Sequence, residues 1–102
     1  MKRTKNMVYR PTEESRELFL YAVNDGKLYR STVESILRNL ENKVKKGVYD
    51  RDKAVDAWYR VATMASDQYG KDFGYKFCVG DRFTVAVEMA EYYEEQILFY
   101  DL

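Results

Sequence analysis

The side chains that usually carry protein chemistry are sparse in this chain. Among 102 residues there is no histidine and a single cysteine. The missing histidines remove the commonest general base, the Cys-His and Ser-His pairs, and the Glu-x-x-His di-iron motif. One thiol supplies no ligand set for structural zinc. No EF-hand loop, Walker A or Gly-x-Gly-x-x-Gly pattern occurs. Cys78 as a nucleophile would need a lowered pKa, with Lys76 and Arg82 as the nearby cations in sequence. The preferred reading is a small buried hydrophobe, because free cysteine is among the most buried residue types. Glu88, Glu91, Glu94 and Glu95 can be read as paired carboxylates for acid–base or hard-cation work. Three of them share one polar helix face, and solvation accounts for that grouping. No catalytic residue, metal site or cofactor is assigned, and a non-enzymatic protein is expected.

Recognition chemistry is better represented. Ten tyrosines combine large apolar faces with polar tips, a residue type enriched at interfaces and equally suited to core edges. In "DQYGKDFGYKFCVGDRF", residues 67–83, Phe73, Tyr75, Phe77 and Val79 alternate with Gly74, Lys76 and Cys78. Period two marks an extended segment with one apolar face. The segment reads as a clip laid across the fold with its aromatic side inward. Its rivals are a partner-binding loop and a single-strand nucleic-acid platform with Lys71 and Lys76 on phosphates. A separate nucleic-acid reading uses Lys2, Arg3, Lys5 and Arg10 with the Lys43, Lys45 and Lys46 cluster. Residues 1–51 hold 12 basic against 7 acidic residues, and residues 52–102 hold 5 against 10. Such a dipolar chain can orient on a charged partner, unless folding brings the halves together and cancels the asymmetry.

The elements that must position these groups are helical. Thr12 is a candidate N-cap with Glu13 and Glu14 behind it, and Asn24-Asp25-Gly26 is a stop, giving a helix over about 12–24. A second, about 28–46, sets Tyr29, Val33, Ile36, Leu37, Leu40 and Val44 on one face and closes at Gly47. Its opposite face interleaves Arg30, Glu34, Arg38, Glu41 and Lys45 at i,i+4 spacing, an ordinary solvated pattern. Asp50 caps a third, about 51–69, with Ala54, Val55, Trp58, Val61, Ala62, Ala65 and Tyr69 as its core stripe and Gly70 able to end it. The fourth, about 81–98, starts at Asp81. Its main stripe is Phe83, Ala86, Val87, Ala90, Tyr93 and Ile97; a second apolar group, Val85, Met89 and Tyr92, lies well away from it. One-sided burial cannot take both groups. Either this helix is central, or Val85, Met89 and Tyr92 form a contact surface.

The expected fold is therefore all-α: one compact domain of about four helices, an extended aromatic connection over about 70–80, and a flexible or edge-packed arm over 1–10. The chain is long enough to bury a core, carries no apolar run of membrane-spanning length, and shows basic residues at its start without the apolar stretch of a secretory signal. A lone cysteine suits a reducing compartment.

Four segments taken together, "LYAVNDGKLYRSTV", "NKVKKGVYDRDKAVDAWYRVA", "YGKDFGYKF" and "VGDRFTVAVEMAEYYEEQI", resemble a group of small proteins carried by bacteriophages and other bacterial mobile elements. The resemblance spans about Leu18 to Ile97 and rests on helix-boundary and core residues, so it transfers no functional residue. It implies a bacterial cytoplasm and an accessory protein of the kind that inhibits or recruits host factors, anti-CRISPR and other anti-defence inhibitors among them. The function expected is a protein-interaction module, with a partner surface of Phe73, Tyr75, Phe77, Val85, Met89 and Tyr92. A second copy of the chain is an alternative partner.

Overall fold

Thr12 sets the start of the first helix by a reciprocal pair of bonds. Its Oγ1 accepts the Ser15 N–H at 2.9 Å, and the Ser15 hydroxyl oxygen accepts the Thr12 N–H at 2.8 Å. This capping box satisfies two donors that a helix start otherwise leaves open. The computed structural model describes residues 8–98 and places α1 at Glu13–Asn24. The expected stop follows, by a different mechanism: Gly26 does not take a positive φ. Instead extended Asp25 breaks the helix, and its Oδ1 accepts the N–H groups of Lys27 and Leu28. The break thus doubles as the cap of the next helix.

That helix, α2, covers 26–45 and is interrupted by a π turn at Tyr29–Val33, where the Glu34 N–H bonds to the Tyr29 carbonyl. It buries Leu28, Val33, Leu37 and Leu40 and ends before Gly47, whose φ of +73° suits a residue without Cβ. Asp50 then caps α3, Arg51–Phe73, as expected.

The end of α3 corrects the sequence reading. The helix runs through Gly70, and Gly74, at φ +72°, stops it, with its N–H bonding to the Gly70 carbonyl at 2.8 Å. Gly70 serves close packing instead: a Cβ there would lie 3.3 Å from the Tyr75 carbonyl oxygen. The connection expected over 70–80 shrinks to 74–78, because Lys71, Asp72 and Phe73 continue the helix and Gly74 is where the left-handed turn falls.

The last helix, α4, is Val79–Leu98. Its first turn is capped by Cys78, whose Sγ accepts the Asp81 N–H at 3.4 Å. Cys78, expected to be buried, is exposed in this role. Asp81, expected as the cap, instead lies inside the first turn and accepts the Thr12 hydroxyl at 3.1 Å.

The core settles the two-stripe problem on α4. Phe83, Ala86, Ala90, Tyr93 and Ile97 are buried, and so are Val85 and Met89, at 0% exposure each. The helix is central, packed by α1, α2 and α3, and both stripes enter the core, with Tyr92 of the second left exposed. Trp58 of α3, the largest fully buried side chain, stacks on Tyr93 at 4.9 Å. The described part of the N-terminal arm is edge-packed: Arg10 donates its N–H to Thr84 Oγ1 on α4 at 2.8 Å. No strand occurs among the described residues, and no helix among them is long and apolar enough to cross a membrane.

Candidate functional site

Where α3 ends, five rings meet in sequence. Tyr21 of α1 sits edge-on to Tyr69 at 5.2 Å; Tyr69 touches Phe73 at 4.7 Å and Phe77 at 4.9 Å; Phe77 touches Tyr75 at 4.7 Å. Two hydrogen bonds pin the base of this stack to α1 and α3. Tyr69 donates to Glu17 at 2.8 Å, and Tyr21 donates to Asp72 at 2.9 Å. Both phenols are held protonated. The Glu17 bond raises Tyr69, while burial, followed by Asp72, pushes Tyr21 up to about 12.

The outer rings are open. Phe73 is 66% exposed and Tyr75 44%, whereas Phe77 is buried beneath them. The expected inward aromatic face is thus only partly present. Phe73 belongs to the helix and Phe77 to the link, so period two does not describe one strand. Tyr75 and Phe77 also border a groove of about 510 Å³ with Gly70, Lys71, Lys76 and Arg82. Arg82 lies over the Tyr59 ring at 5.8 Å, and its Nε is buried without a hydrogen-bond partner.

Of the six residues expected at a partner surface, Phe73, Tyr75 and Tyr92 are exposed. Phe77, Val85 and Met89 are buried and cannot contact a partner without unfolding. The exposed residues do not form one surface. Tyr92 stands 13 residues beyond Val79 on α4, about 20 Å along the axis, and packs edge-on to Phe19 of α1.

The basic residues of the nucleic-acid reading are also dispersed. Lys2, Arg3 and Lys5 lie outside the described residues. Arg10 is tied to Thr84. Lys43, Lys45 and Lys46 close α2 just before Tyr49 and Arg51, which both bond to Glu94. Thr84 and Glu94 are ten residues apart on α4, about 15 Å, with Glu88 and Glu91 on the turns between.

The carboxylates on α4 are less uniform than a solvated face implies. Glu94 accepts from Tyr49 at 2.9 Å and Arg51 at 3.2 Å. Glu88 is half-buried with Oε1 lacking a partner, and burial, then Glu91, raises its pKa against the opposing pull of Arg16. No grouping of three or more His, Cys, Asp or Glu able to hold a metal ion occurs among the described residues.

Against known proteins, no family model, no curated protein and no solved structure matches this chain.

Proposed function

We propose that the protein is a non-enzymatic interaction module that docks a protein partner through the end face built by Phe73 and Tyr75. The observation that carries this reading is the exposure of Phe73, at 66%, on a ring stack braced from below by Tyr69 and Phe77. A single exposed apolar residue needs no explanation. Here two aromatic side chains flank the Gly74 turn, backed by a buried ring and rimmed by Lys71, Asp72 and Lys76. An aromatic centre with a charged rim is the usual anatomy of a recognition surface. Because Phe73 rests on the hydrogen-bonded Tyr69 and Tyr75 on the buried Phe77, part of their side-chain freedom is already lost before a partner covers them.

The likeness of its segments to small phage and mobile-element proteins extends the proposal. The partner is a component of a bacterial defence system in the host cytoplasm, and the protein inhibits it by occupying a working surface. A second copy of the chain is the other occupant the face admits.

Affinity capture from a bacterial host tests this, comparing wild type with Phe73→Ser/Tyr75→Ser. The variant is expected to keep its helical circular dichroism and lose the specific co-purifying protein. Retention of that protein at wild-type yield would overturn the proposed face. The dispersed Arg10 and Lys43–Lys46 cations predict no steeply salt-dependent nucleic-acid affinity.

A further inference from the structure

At the opposite end of α4 a second aromatic constellation has a different chemistry. Tyr29, Tyr92 and Tyr93 line a cleft of about 620 Å³ with Val23, Glu95 and Gln96. The Tyr92 and Tyr93 rings stand nearly perpendicular, 4.9 Å apart at 82°, with Tyr92 an exposed wall and Tyr93 buried at its base. Both rings are braced from behind: Tyr92 by Phe19 at 5.5 Å, Tyr93 by Trp58 at 4.9 Å. The other wall, Tyr29, is the residue at which α2 departs into its π turn. Such turns are frequent at functional sites.

Charge around the cleft is one-sided. Val23 belongs to the last turn of α1, and Glu95 and Gln96 to the last turn of α4, and neither of those turns carries a basic residue. The end of α4 therefore directs the negative end of its dipole here without the customary cation, while that of α1 is offset by the N-terminus of α2 that follows Asp25. Glu94 is engaged by Tyr49 and Arg51, but Glu95 makes no ion pair among the described residues. The Tyr29, Tyr92 and Tyr93 hydroxyls likewise make no hydrogen bond among the described residues. Burial, then the neighbouring phenols Tyr92 and Tyr29, push Tyr93 up to about 12, so the phenol beneath the cleft stays neutral.

We infer that this cleft binds an organic ammonium cation, its alkyl groups against the Tyr29 and Tyr92 rings above the buried Tyr93 and its charge balanced by Glu95. The rings attract a cation through their quadrupoles. The unopposed carboxylate and the end of α4 add a field of the same sense. Nothing in the lining repels a positive charge, and an anion would meet Glu95. This site is independent of the Phe73–Tyr75 face and stands or falls separately.

The test is a titration of the full chain with choline, followed by the aromatic NMR signals of the three tyrosines. The neutral isostere 3,3-dimethylbutan-1-ol is the control. Saturable shifts are expected with choline, and at least about tenfold weaker binding of the alcohol, as cation–π attraction plus one carboxylate requires. Tyr92→Leu and Glu95→Gln change exposed side chains and should leave the circular dichroism unchanged while each weakens choline by roughly fivefold or more. Phe73→Ser/Tyr75→Ser should bind choline as wild type does. A trimethyllysine peptide run beside choline distinguishes a partner's modified side chain from a free small molecule by which of them binds tighter. Equal binding of choline and the alcohol, unaltered binding in both cleft variants, or no saturable shift up to about 50 mM, well above ordinary weak-site affinities, would overturn the site.

Discussion

Trp58 and Tyr93 stack with ring centroids 4.9 Å apart and planes 22° from parallel, joining the middle of α3 to the last turns of α4. Both rings are buried, at 1% and 5% exposure, and Tyr93 backs the organic-cation cleft with this contact. Aromatic pairs of this kind add to what their buried area contributes. Removing Trp58 leaves a cavity that neighbouring helices can close only in part. Trp58→Ala is therefore expected to destabilise by about 3–5 kcal/mol, read from urea unfolding by circular dichroism. A loss below about 1 kcal/mol would mean that the centre of the bundle is not packed as described.

The Thr12 hydroxyl joins two helix starts. Its oxygen caps α1, and its hydrogen goes to Asp81 in the first turn of α4. Thr12→Ala removes both bonds and should lower stability by about 1–2 kcal/mol, whereas Thr12→Ser should retain most of it. Equal effects of the two substitutions in thermal melts would discount the hydroxyl.

Gly74 turns the chain out of α3 at φ +72° with open space where a Cβ would stand. Gly74→Ala therefore meets backbone strain without a clash, and a loss of about 1 kcal/mol is expected. No change in the unfolding midpoint would show that the turn relaxes freely.

Glu88 gives a pH signature. Its pKa in the fold is raised from the ordinary 4.5 by burial, so the folded chain holds its proton more tightly than the unfolded chain. Its favourable contribution is complete below about 4.5 and is lost as pH rises through the folded-state value. Glu88→Gln keeps the neutral form at every pH. The variant should exceed wild type in stability at pH 7, with the gain shrinking toward pH 4 in parallel urea titrations. A gain that grows on acidification would contradict the assignment.

Several of these relationships were legible in the sequence, where one residue acts on its own backbone. Thr12, Asp50 and Gly47 announce helix boundaries because capping and left-handed turns depend on local chemistry. Gly70 and Gly74 show the limit: both are glycines near a helix end, and only the path of the link against Tyr75 decides which one turns. Phe73, Tyr75 and Phe77 mimic strand periodicity by accident of a helix terminus followed by a five-residue link. The second stripe of α4 was visible, but the choice between core and surface needed α1, α2 and α3 in place. The tyrosine cleft was invisible for the same reason, since Tyr29 meets Tyr92 and Tyr93 only through tertiary packing.

The central claim is that a protein partner covers Phe73 and Tyr75. Site-specific photo-crosslinking in host cells measures this directly, with p-benzoylphenylalanine placed at Tyr75 and, as a control, at Arg38 on the solvated face of α2. A discrete crosslinked species at position 75 and none at 38 is the predicted result. Crosslinks at 38 alone, or none at 75 while the partner still co-purifies, would contradict it.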